Sequence, residues 1–187
     1  MAKRNNKPVL DLQATFNRLG RIAGSTTATA RLLGLAERVE AKRERGEEPT
    51  PEEHVAFGLA GYDAGRFPAD AALKYVVMIL EHKVAGVRAQ EVYNRDFRER
   101  AEAIRKKHGL ADDEDWPRGD GPPEDQALGA EFEAVCGRIE AEVLREYADK
   151  TGHPLLKEAA DQCASDRPAF ERRLERGREW LLERKEG

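Results

Sequence analysis

Aromatic residues are scarce in this sequence, cysteine is scarcer, and a long apolar run is missing altogether. Only 6% of the 187 residues are Phe, Trp or Tyr, and two are Cys, so a disulfide framework does not organise the chain. Cys136 and Cys163 have no CxxC or His spacing around them, and each falls in a predicted helix. Buried thiols in a reducing cytoplasm are the expectation. No stretch reaches about 18 consecutive apolar residues, and the opening MAKRNNKPVLDL has no apolar h-region. We therefore expect no membrane span, no secretory signal and a cytoplasmic protein. No segment sustains the period-two alternation of a strand, and no repeat of fixed period recurs. A P-loop, a GxGxxG, a GxSxG and a Cys/His dyad spacing are all missing, and with them the local signatures of the commonest nucleotide and acyl-transfer sites.

What the sequence does contain is charge at helical spacing. Charged residues make up 36% of it, 32 basic against 36 acidic. They are unevenly shared: residues 1–110 hold 20 basic and 15 acidic, a balance of +5, and residues 111–187 hold 12 and 21, a balance of −9. This implies either a cationic surface in the first part or docking of one part on the other. It is far from the pI above about 9 of a dedicated nucleic-acid-binding domain.

The chain is organised around the stretch from Phe67 to Gly109. Leu73, Val77, Leu80, Val84 and Val87 recur at steps of four and three, and Tyr93, Phe97, Ala101 and Ile104 resume those steps after a shift of phase. Pro68 suits the first helical turn, Asp70 suits the positive end of the helix dipole, and Arg105 to His108 suit its negative end before Gly109. Some 40 helical residues span roughly 60 Å, more than the width of a small domain. Either Gly86 marks a bend, or the second half projects.

Helices are expected on both sides of it. Val9, Leu12, Phe16 and Leu19 mark one face of a helix after a basic arm, and Leu32, Leu35, Ala36 and Val39 mark a second. Thr50-Pro51-Glu52-Glu53 reads as a capping box opening a third. Residues 109–124 carry Pro117, Pro122 and Pro123 among glycines and acids, and are expected to be a linker or loop. Beyond them Leu128, Phe132, Val135, Ile139, Val143 and Tyr147 step along a helix stopped by Gly152. A short helix from Pro154 and a final one capped at Ser165 or Asp166, bearing Phe170, Leu174 and Leu181, complete the chain. The expected fold is all-α, with six to eight helices in two sub-bundles around one long central helix and no sheet. The expected parts are 1–108, the linker 109–124, and 125–187.

Candidate chemistry is sparse. His54, His82, His108 and His153 lack the ExxH and HExxH spacings of helical metal sites. Glu37/Glu40, Glu44/Glu47, Glu99/Glu102, Glu146/Asp149 and Glu158/Asp161 are acid pairs that helical nucleotide hydrolases converge on Mg²⁺. A helix-turn-helix over residues 27–45 is suggested by Ala30, Gly34 and Leu35, but Glu40 and Arg43 stand where its second helix wants apolar residues. The remaining feature is basic surface. Arg38, Lys42, Arg43 and Arg45 lie on one predicted helix, and Arg95, Arg98, Arg105, Lys106 and Lys107 on the far end of the central one. Such cations meet backbone phosphates without reading bases. The sequence thus points to a non-catalytic helical subunit of a nucleoprotein assembly, binding nucleic-acid backbone and partner proteins or itself, with no cofactor or metal. The alternatives are a helix-turn-helix DNA-binding regulator and a Mg-dependent helical nucleotide hydrolase.

Overall fold

The computed structural model describes residues 27–110 and 121–183, and among these the only regular structure is helical. The helix expected over Val9–Ile22 and the basic arm before it lie outside the described residues, as do residues 111–120. Six helices are described. Helix α1 is Thr27–Glu44, and α2 is Pro51–Asp63. Helix α3 runs without interruption over residues 69–107. Helices α4, α5 and α6 are Pro123–Thr151, Pro154–Ser165 and Arg167–Glu183.

The helix boundaries follow from capping. The Thr50 hydroxyl accepts from the Glu53 N–H at 3.3 Å, and a Glu53 carboxylate oxygen accepts from the Thr50 N–H at 2.8 Å, the reciprocal pair that the sequence predicts. Pro68 sits one position earlier than expected, as the N-cap of α3, and its carbonyl accepts from Ala71 and Ala72. Gly152 ends α4 with φ +65°, the left-handed conformation a side chain resists. The Asp166 carboxylate caps α6 by accepting from the Ala169 N–H. Pro123 belongs to a helix rather than to the expected loop. It takes the first position of α4, where a missing N–H costs nothing.

Helix α3 is not a plain α-helix. It contains two π-turns, Glu81–Ala85 and Tyr93–Phe97, closed by i→i+5 bonds from Gly86 N–H to the Glu81 carbonyl and from Arg98 N–H to the Tyr93 carbonyl. Each adds a residue to its turn and rotates the helix beyond it. This accounts for the shift of phase in the sequence. Leu73, Val77 and Leu80 are buried, but at the end of the first π-turn the burial passes to Ala85, and Val87 beyond it is 56% exposed instead of sitting in the seam. Gly86 follows this widened turn.

The first α-helical part of α3 is enclosed on most sides, chiefly by α6 and α2 with α4 and α5 behind. Leu73, Tyr75, Val76 and Ile79 are fully buried, as befits a helix that is apolar almost all round. One large cluster joins residues as distant as Leu32 and Leu181 around it. The apolar core therefore runs across the expected boundary at 109–124 rather than stopping there. A second, small cluster of Phe97, Ala101 and Leu128 lies further along, where α3 beyond Gly86 packs against the first half of α4. These two stretches, 86–107 and 123–139, form an antiparallel hairpin.

Candidate binding surface on the helical hairpin

The hairpin is held by charge as well as by its small core. Counted over residues 69–107, α3 has nine basic and six acidic residues, whereas α4, residues 123–151, has three basic and eight acidic. The two helices thus carry +3 and −5, and they pair accordingly. Arg88 bonds Glu146 at 2.7 Å. Arg100 makes a two-pronged bond to Glu131 at 3.0 and 2.7 Å. Lys107 and His108 share Glu124. As the position rises along α3 its partner falls along α4, and this fixes the antiparallel register. Between the helices the Phe132 ring meets Tyr93 and Phe97 edge-on, with centroids 5.3 and 5.1 Å apart.

Most of the cations singled out from the sequence are thereby accounted for. Lys42 bonds Glu53 of the capping box, Arg45 bonds Glu47, and Arg95 makes a two-pronged bond to Asp96. Arg98 bonds Glu102 one turn on, Lys107 bonds Glu124, and Arg105 is also engaged. The side chain of Arg43 lies outside the described residues. Arg38 and Lys106 are exposed and have no such partner among the described residues. The bonds from Arg45, Arg95, Arg100 and Lys107 hold the carboxyls of Glu47, Asp96, Glu131 and Glu124 below the usual carboxylate range. These pairs are therefore fully ionised at neutral pH. The structure does not gather the two predicted groups of cations into one unpaired stripe.

The helix-turn-helix reading of residues 27–45 is corrected. It needs a turn at Gly34, and α1 passes through Gly34 as one helix of 18 residues. The acid pairs do not converge: Glu102, Glu146 and Glu158 bond Arg98, Arg88 and Arg173, and Asp161 faces Arg145. Among the described residues no group of three or more His, Cys, Asp or Glu could hold a metal ion.

Two features escaped the sequence reading. His153, for which the sequence offered no role, caps α5: its Nδ1 accepts from the Leu155 N–H at 3.2 Å, and its Nε2 reaches Asp63 at 3.1 Å. With Nδ1 accepting, the ring proton sits on Nε2 and is donated to Asp63, so this imidazole ties α2 to α5. The other is an open groove of about 400 Å³ on one side of the hairpin, at the second π-turn. Val92, Phe97, Val135 and Ile139 form its floor. Arg95, Arg100 and Arg138 stand along it with Asp96, Glu131 and Glu142. The π-turn itself supplies three of these residues, Arg95, Asp96 and Phe97, and α-helical periodicity gives no sign that they share one groove with α4.

No protein-family model, curated protein or solved structure matches this chain.

Proposed function

We propose that the protein is a non-catalytic helical binding subunit that engages other proteins through the hairpin of residues 86–107 and 123–139. The groove at the second π-turn carries this reading. It combines an apolar floor with a charged rim, the make-up of a protein contact surface, and it lies on an element whose own core is small. A π-turn is also costly to keep in a helix and recurs at functional positions.

The test is a groove filled without loss of fold. In Val135→Arg the stem of the new side chain covers the floor while its guanidinium reaches water. Wild-type protein immobilised in extract of its own cells should retain a defined set of proteins that V135R, with unchanged circular dichroism, releases. Identical capture by both would remove the groove from the function, and no capture by either would remove the reading.

Contact with nucleic-acid backbone is the second reading, favoured by Arg38 and Lys106, the exposed candidate cations without a partner among the described residues. In a nucleoprotein assembly this chain would then contribute mainly protein contacts, with a minor electrostatic share from these two residues.

A further inference from the structure

We infer that the groove at the second π-turn is the interface between two copies of this chain, related by a two-fold axis that passes close to residue 140 of α4. This rests on the reading of the hairpin as a binding element and names its partner.

The argument is one of charge and geometry. Of the six charged residues along the groove, Arg95 is bonded to Asp96 and Arg100 to Glu131. That leaves Arg138 and Glu142. Both are exposed, they stand one helical turn apart on the same edge of α4, and neither has a partner among the described residues. An unpaired cation and an unpaired anion spaced this way form a self-complementary pair. A two-fold axis between them sets Arg138 of one copy against Glu142 of the other, twice over, as an isologous interface requires. A partner of one charge sign would satisfy one of the two residues and repel the other.

The rest of the groove fits the same partner. Its three arginines and three carboxylates balance, so two copies meet without net repulsion at the rim. Glu140, which would lie nearest the axis, is turned away and bonds Arg167 of α6 at 2.9 Å, so two Glu140 carboxylates do not confront each other. The floor from Val92 to Ile139 receives the partner's α4 edge, and helices crossing at an angle touch over only a turn or two. The like-charged positions further out, such as Glu131 and Asp149, then splay apart.

Light scattering on the purified full chain, over roughly 1 to 200 μM, tests this. Wild type should pass from 21.0 kDa to twice that mass. Arg138→Glu and Glu142→Arg each place like charges opposite one another twice, and should raise the dissociation constant roughly tenfold to hundredfold. Mixing the two variants should restore association, because the R138E copy and the E142R copy satisfy both contacts of the pair. The double variant should also recover it. Both sites are exposed and unpartnered, so neither single change threatens the fold. Wild type that stays monomeric throughout, single reversals that associate like wild type, or a mixture that fails to recover would each overturn the inference. A monomer whose groove is still needed to retain other proteins defeats the two-copy interface alone. A monomer that also captures nothing through the groove defeats the binding reading as well.

Discussion

Arg173 of α6 and Asp70 of α3, 103 positions apart in sequence, are joined by a 3.0 Å bond from the guanidinium Nε to the carboxylate. Arg173 is 9% exposed, and the same guanidinium donates to Glu158 at 2.7 Å and to Gln162 at 3.0 Å on α5. Asp70 also accepts from Arg176 and stands in the first turn of α3, where the helix dipole favours an anion. One buried cation thus fixes three helices. Asp70→Asn should cost about 1.5 to 3 kcal/mol in urea unfolding, the range for bonds to charged groups. Combined with Arg173→Met, the two losses should fall short of their sum by about 1 kcal/mol. Strict additivity would mean that the pair is not coupled.

The same junction explains why Gly177 has no side chain. A Cβ there would lie 2.0 Å from the Asp70 carbonyl oxygen, a backbone atom that cannot step aside. Gly177→Ala should force α3 and α6 apart and lower stability by about 1 to 3 kcal/mol. Gly137 of α4 also lies inside a helix, but a Cβ there meets nothing within 4 Å. Gly137→Ala should therefore raise stability by about 0.5 to 1 kcal/mol, through the backbone freedom that glycine brings to the unfolded chain. Thermal melts of the two variants should move in opposite directions, and two shifts of the same sign would contradict the packing described.

These examples also show what could be read from the sequence. The capping box at Thr50, the stop at Gly152 and the apolar stripes of α1 and α4 are local patterns, and each was legible. The phase shift between Val87 and Tyr93 was visible too, but a π-turn changes no composition and gives no residue signal of its own, so its cause was not. Among the candidate cations, Arg98 and Glu102 sit at i,i+4 spacing and their pairing could be anticipated. The bond from Arg100 to Glu131 could not, because it depends on how the hairpin closes over 31 positions. The only early trace of it was the charge imbalance between residues 1–110 and 111–187.

Glu81, the first residue of the first π-turn, gives a pH-dependent prediction. Its carboxyl is largely buried and has no hydrogen-bond partner among the described residues. Burial first, and the nearby Glu140 carboxylate second, push it above the ordinary 4.5, against the pull of Lys74 and Arg167. The folded chain then holds this proton to higher pH than the unfolded chain does. Across that window stability falls as pH rises, and above the folded value the whole cost is present. Glu81→Gln keeps the shape and abolishes the charge. Its melting temperature should exceed that of wild type at about pH 8 and match it at about pH 4, where both forms are neutral. An equal shift at both pH values would point to packing rather than ionisation.

The ion pairs on the surface set a limit on nucleic-acid binding that a salt titration can read. Each phosphate neutralised on duplex DNA contributes a slope of about −0.9 to the log–log dependence of affinity on salt. If all nine candidate cations met phosphates, the slope would approach about −8. Most of the nine are already bonded to carboxylates, and moving a cation from a carboxylate to a phosphate releases fewer counterions and leaves the acid beside the DNA. Arg38 and Lys106 alone give a slope of about −2, with affinity too weak to survive physiological salt. Filter binding to random-sequence duplex at two salt concentrations should therefore show shallow, sequence-indifferent retention. Replacing Arg38 and Lys106 with Gln should weaken it and flatten the slope by about 2, and replacing Arg98 with Gln should leave it nearly unchanged, because Glu102 already occupies that guanidinium. A slope steeper than about −5 would mean that the pairs open on binding, and the basic face of residues 95–107 would then become the principal contact in place of the groove.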